Sequence, residues 1–219
     1  MFLSQDIWVY ISRLLVVFLV LPIHEAAHGW MAYKLGDPTA KQMGRVTLNP
    51  IKHMDPTGLI TMLLFGFGWE KPVPVNPRYF KDPRRDNALV ALAGPLSNFL
   101  MAFVLYIVEG ILLGFFPGIF RSTVLVYFIL ILHYMAMISI FLGVFNLIPI
   151  PPLDGFNVLG AFIPADTFDR LYSFARYGML LVFALMWVGV LGTPVAVISN
   201  GIQGLFQTFL GLFGLRFIG

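Results

Sequence analysis

The 219-residue sequence predicts an all-α polytopic membrane protein, with about four to six transmembrane helices and a short re-entrant or β-hairpin segment near residues 57–80. Three observations lead there. Hydrophobic residues make up 58% of the chain and charged residues only 11%, whereas soluble domains carry about 25% charged residues. Apolar runs of spanning length recur, and about 20 helical residues cross a hydrocarbon core of ~30 Å. Nine of the 14 Lys and Arg residues lie in one stretch between the first two runs, the asymmetry that orients membrane helices. The length fits one integral-membrane domain over 1–219.

The first predicted span covers residues 7 to about 33, with Arg13 near its start, placed to reach the interface. It lacks a basic start followed by a small-residue cleavage site, so it reads as a retained helix and not a signal peptide. Residues 34–56 are polar and rich in turns. The piece 57–69 is apolar but short for a spanning helix, and Gly58, Gly66 and Gly68 weaken it, which favours a re-entrant or short buried segment. Lys71-Pro72-Val73-Pro74-Val75-Asn76-Pro77 reads as extended, because a residue before proline is pushed out of the helical region. Such a segment can offer an edge to a substrate strand, or be an ordinary loop.

A second span is expected near 87–116, with Gly94-Pro95 marking a kink or a close helix contact. A third is expected near 123–148, stopped by the Pro149, Pro151 and Pro152 cluster. A short helix over 155–163 and a fourth span near 171–192 follow. Residues 195–215 fit an interfacial or a spanning helix, with a lean to the interfacial. The positive-inside rule puts the Lys- and Arg-rich loop in the cytoplasm. The loop between the second and third spans holds only Arg121 and faces out, so the third span returns to the cytoplasmic side and places Asp154 on the same side as the His24/His28 end of the first helix.

The chemistry centres on His24-Glu25-Ala26-Ala27-His28, at the end of the first apolar run. Residues four apart share a helix face, so both imidazoles can reach one metal ion. Glu25 stands beside the first and can take a proton from a water held there; this is the H-E-x-x-H arrangement of zinc peptidases. Intramembrane charge costs ~2.5 kcal/mol or more per residue, so such a cluster on an apolar helix calls for a compensating ion.

A catalytic zinc takes three protein ligands and leaves one position open. Candidates for the third are Glu70, Asp55, Asp154, His53, Glu109 and His133. Asp154 is the best placed: it follows the helix-breaking prolines, precedes Gly155, and lies on the correct side. Its competing role is to cap the following helix. Asn146 and Asn98 are candidate donors to a developing oxyanion, or else helix–helix hydrogen-bonding groups. His53 has a local loop context. His133 is ~20 Å along its helix from Asn146, too far for the metal, and is expected to pair with Glu109 at similar depth. Cysteine is absent, which excludes disulfides, thiolate nucleophiles and Cys-rich zinc sites. A net charge of +3 without a basic stripe gives no support for nucleic-acid binding.

These residues resemble the site-2 protease family of intramembrane zinc metalloproteases. His24 to His28 match its H-E-x-x-H, and Asn146 to Gly155 match its second signature, an Asn and Pro run ending in Leu-Asp-Gly. Ala93 to Asn98, and Leu48-Asn49-Pro50 with His53 and Asp55-Pro56, also look like family segments. The resemblance implies Zn2+ held by His24, His28 and Asp154, Glu25 as catalytic base, and Asn146 in substrate binding or oxyanion stabilisation. It implies cleavage of transmembrane segments of other proteins (regulated intramembrane proteolysis) by a compact bacterial-type member without a PDZ or CBS domain, set in the bacterial cell (inner) membrane. The partners would be transmembrane substrates and the lipid bilayer. A competing reading is a metal-ion transporter using the same His and Asp cluster. It needs ionisable groups spaced across the bilayer and often a repeat; only Glu109 and His133 lie on the far side, and no repeat is visible.

Overall fold

The computed structural model describes Ile11, residues 14–65, 70–116 and 118–218, and in them every regular element is a helix. The expected start of the first span, Arg13 included, and residues 66–69 lie outside the described residues.

The motif helix, α1, is Leu21–Lys34. Pro22 in its first turn has no N–H to donate and its ring crowds the turn before it. The chain accommodates this with a π-helical turn over Val16–Val20. Two short helices follow: α2, Thr39–Gln42, and α3, Pro56–Phe65. The Asp55 carboxylate starts α3 by accepting from the Thr57 and Gly58 amides, both at 2.9 Å. The ten residues of α3 reach only ~15 Å. Around it the chain forms a single antiparallel bridge, Met54 to Glu70, and no strand among the described residues.

The long helix α4 runs from Pro83 to Phe115. It begins four residues before the sequence expectation of 87. Asp82 caps it, accepting from the Arg85 amide at 3.2 Å, and Pro83 takes the first turn, where a missing N–H costs nothing. Helix α5, Thr123–Asn146, packs against it and starts from a Ser122 cap. Both are long and apolar enough to cross a membrane.

After α5 come α6, Asp154–Gly160, and α7, Ala165–Tyr172, then α8, Ala175–Trp187, and α9, Gly192–Gly211. The span expected over 171–192 is therefore shorter. The 13 residues of α8 cover ~20 Å, and the chain turns at Gly189, whose φ of 82° suits glycine. Helices α8 and α9 meet the length and hydropathy required of a span only as a pair, bent by 80°.

The main core joins Val16 and Val20 to Ala102, Leu105 and Tyr106 of α4, to Met135, Ala136 and Ile140 of α5, and to Val195 and Leu210 of α9. It fixes α1 against α4 and α5, and so positions the polar cluster at one end of the bundle. At the other end, Glu109 is fully buried and His133 Nδ1 lies 3.1 Å from both its oxygens. The Ile218 amide donates to Glu109 Oε1 at 2.9 Å, which draws the tail after α9 onto α4.

Candidate metal centre

The spacing on α1 places His24 and His28 side by side, with ring centroids 4.6 Å apart and both residues buried. Their Nε2 atoms are 3.0 Å apart. Asp154 Oδ2 enters from the first residue of α6, 3.3 Å from His24 Nε2 and 3.4 Å from His28 Nε2. Asp154 does not cap α6: the capping position is Leu153, and no side chain closes it.

These separations carry chemical information. Ligand atoms ~2.05 Å from a tetrahedral ion lie about 3.3 Å from each other. The three atoms already form such a triangle. His28 Nδ1 is 2.7 Å from the Val90 carbonyl of α4, which keeps a proton there and turns Nε2 to the cluster. Apart from these two imidazoles, Asp154 Oδ2 is buried without a hydrogen-bond donor among the described residues. Burial works against its ionisation, yet the His24 and His28 imidazoles beside it hold the Asp154 carboxyl down at about 2, from an ordinary 3.8. Electron-rich atoms converging in a buried space are suited to a cation at their centre, and two imidazoles with a carboxylate suit zinc.

Glu25 adjoins this triangle, with a ligand-capable oxygen within 4.8 Å of those of His24 and His28. Its Oε2 accepts from the Val73 amide at 2.7 Å. The extended segment 70–76 therefore lies over the motif helix. Arg45 Nη2 donates to the Lys71 carbonyl at 2.6 Å, the Lys71 amide to the His53 carbonyl at 2.9 Å, and the Asn76 amide to Asp37 Oδ2 at 2.7 Å. These bonds use part of the backbone edge that the sequence offered either to a substrate strand or to an ordinary loop. Glu70 faces inward: burial, with the charges of Glu25 and Asp154, pushes its carboxyl well up, and Arg45 opposes the rise.

The remaining candidates fall elsewhere. His53 is buried and its Nε2 is 2.8 Å from the Thr47 carbonyl. Asp55 starts α3, and Glu109 and His133 face each other at the opposite end. Asn146 is the last residue of α5, half-buried, where the loop to Asp154 begins. Asn98 is fully buried one turn beyond Gly94, and neither atom of its side-chain amide has a hydrogen-bond partner among the described residues.

Three glycines shape the site more than their sequence context shows. A β-carbon on Gly94 would lie 2.3 Å from His28 Nε2 and 2.6 Å from His24 Cε1. One on Gly155 would meet the Leu147 carbonyl oxygen at 2.1 Å, so close approach and not turn geometry requires glycine after Asp154. One on Gly178 of α8 would meet the Pro151 carbonyl oxygen at 1.8 Å. The loop that delivers Asp154 is thus gripped at both ends by backbone contacts. The Gly94-Pro95 pair signals close approach in the sequence; Gly178 carries no such mark.

Comparison with known proteins agrees with this chemistry. The sequence pattern of peptidase family M50 matches residues 12–189. The "Putative zinc metalloprotease YwhC" of Bacillus subtilis (strain 168) is 37% identical over 219 residues, covering 95% of this chain and 98% of that protein. The "Putative zinc metalloprotease Rip2" of Mycolicibacterium smegmatis (strain ATCC 700084 / mc(2)155) is 28% identical over 174 residues, 76% of this chain and 62% of that one. The "Zinc metalloprotease MJ0392" of Methanocaldococcus jannaschii is 28% identical over 194 residues, 87% of this chain and 46% of that one. No solved structure matches. None of these similarities supports a transporter. The chain belongs to peptidase family M50, the site-2 proteases, and is an intramembrane zinc metalloprotease.

Proposed function

We propose that the chain is one membrane domain that hydrolyses peptide bonds within or beside transmembrane segments of other membrane proteins, with zinc held by His24, His28 and Asp154. The observation that carries this reading is the triangle of His24 Nε2, His28 Nε2 and Asp154 Oδ2, with sides of 3.0, 3.3 and 3.4 Å and Glu25 alongside.

When bound, zinc supplies Lewis acidity to the scissile carbonyl and to the attacking water. Glu25 takes the proton of that water and returns it to the leaving amine. The Val73 N–H holds one carboxylate oxygen of Glu25, which leaves the other to face the water. Asn146 donates to the oxyanion that develops on the carbonyl. A helical substrate has its carbonyls already hydrogen-bonded, so the scissile bond must be unwound before attack.

The position of the site supports an intramembrane substrate. Gly94, against the two histidines, is about 16 Å along the α4 axis from Pro83, close to half the thickness of a ~30 Å core. The Lys- and Arg-rich stretch leads into this end of α4, which favours a site opening to the cytoplasm; the membrane in this reading is the bacterial inner membrane that the family resemblance implies. In this reading α1 with the π-helical turn Val16–Val20 before it, and the α8–α9 pair, join α4 and α5 as spans, giving at least four. The test is zinc analysis together with cleavage of single-span membrane proteins. Wild type should carry zinc and cleave; Glu25→Gln should keep zinc and not cleave. Proteolysis undiminished in Glu25→Gln would remove Glu25 from the reaction.

A further inference from the structure

Outside the metal centre, a cleft of about 410 Å³ opens between the first turns of α4 and the far end of α6. Its rim holds Arg84 and Arg85, with Asp82 beside them. Below the rim, one wall is Ala88, Leu89 and Leu92; the other includes Val158 and Phe162, the latter 81% exposed. Charge sits at one end and apolar surface at the other.

We propose that this cleft binds an anionic glycerophospholipid, with its phosphate at Arg84 and Arg85 and an acyl chain along α4. Arg84 is held in place: its Nε and Nη2 donate to the Gly160 carbonyl at 3.2 and 2.8 Å, and Nη2 also to the Ile163 carbonyl. Carbonyl partners orient the guanidinium without cancelling its charge. Neither guanidinium has a carboxylate oxygen within 4.0 Å among the described residues. Asp82 offsets part of the field, and its Oδ1 is occupied by the Arg85 amide. The N-terminal turn of a 33-residue helix adds positive potential at the same place.

The apolar wall separates a lipid from a free anion. Arg85, Ala88, Leu89 and Leu92 follow the i, i+3, i+4, i+7 stripe of one helix face, and exposed Leu96 and Leu100 continue it. From Arg85 to Leu96 the axis advances about 16 Å, the hydrocarbon depth of one leaflet. A cationic rim above a leaflet-deep apolar stripe, on a helix apolar enough to span, matches a phospholipid from headgroup to chain. The occupant would touch both Arg84 and Phe162, and so brace the helix whose first residue is Asp154.

Native mass spectrometry of the purified full chain, in micelles containing equal phosphatidylglycerol and phosphatidylcholine, tests this. Phosphatidylglycerol should be retained selectively. Arg85→Gln removes an exposed charge that forms no ion pair among the described residues, and should weaken that retention about fivefold without changing phosphatidylcholine. Leu92→Gln should weaken retention of both lipids at this site. Equal retention of the two lipids by wild type, or a phosphatidylglycerol signal untouched by Arg85→Gln, overturns the proposal. So does displacement of phosphatidylglycerol by inorganic phosphate alone, which would mark a free-anion site.

Discussion

Replacing Gly94 by alanine should empty the metal centre without touching a ligand. The new β-carbon would stand 2.3 Å from His28 Nε2, 2.5 Å from His28 Cε1 and 2.6 Å from His24 Cε1. Ordinary contact begins at 3.4 Å, so the His28 ring must retreat by about 1.1 Å (3.4 less 2.3 Å). Metal–ligand distances tolerate only about 0.2 Å. The ring cannot swing aside freely, because Nδ1 is held at 2.7 Å by the Val90 carbonyl and the residue is buried. If α4 retreats instead, it takes Val90 with it. Either adjustment breaks the triangle, and a 1 Å misplacement at a reacting centre costs ~100-fold in rate. The assay is zinc content after dialysis against a competing chelator, with cleavage measured in parallel. Gly94→Ala should lose zinc and at least ~100-fold in activity. Gly114→Ala, on the same helix with nothing within 4 Å of its β-carbon, should lose neither. Full zinc and wild-type cleavage in Gly94→Ala would refute the packing account.

Other perturbations address separate parts of the reading. Asp154→Asn should release zinc in the same chelator dialysis, and retention there would assign the third ligand elsewhere. Val73→Pro removes the amide that holds Glu25 Oε2; hydrogen bonds to charged groups contribute ~1.5–3 kcal/mol, so cleavage should fall about 10- to 100-fold with zinc content unchanged. Asn146→Ala and Asn98→Ala compare the two candidate oxyanion donors: loss of ~10²–10³ in kcat with zinc retained is expected at Asn146 and not at Asn98. A double-mutant cycle of Glu109→Gln and His133→Ala, read by thermal unfolding in the presence of zinc, should show a coupling of ~0.5–3 kcal/mol; strictly additive losses would mean that the 3.1 Å contact contributes nothing.

Much of the site was legible because its chemistry is periodic or punctuated. Two histidines four apart declare a helix face, and a proline run before Leu153-Asp154-Gly155 declares where a carboxylate can leave its helix. Both signals are local, and the structure brings all three side chains together. The early start of α4 was also locally marked, by Asp82-Pro83, which the apolar periodicity overshadowed. The Val73 amide is different. A backbone N–H carries no residue identity, so its bond to Glu25, 48 positions away, leaves no trace in either local sequence. Gly178 is equally silent, since its role depends on where the Pro151 carbonyl passes. The long spans were readable from hydropathy alone, whereas the break at Gly189 depends on one residue with positive φ inside an apolar run.

The grip of glycines around α1 bears on how such chains are read across genomes. A β-carbon on Gly29 would meet Val46, Val73 and Ala40 at 3.0 to 3.3 Å, while Gly94 presses the opposite helix against the two histidines. The motif helix is clamped by residues that carry no chemistry of their own. A descendant could keep all five letters from His24 to His28 and still be inert after one methyl group arrives at position 94. Counting intact motifs would therefore overstate the number of working proteases, and an alanine in place of such a glycine would be the mark of a lapsed one.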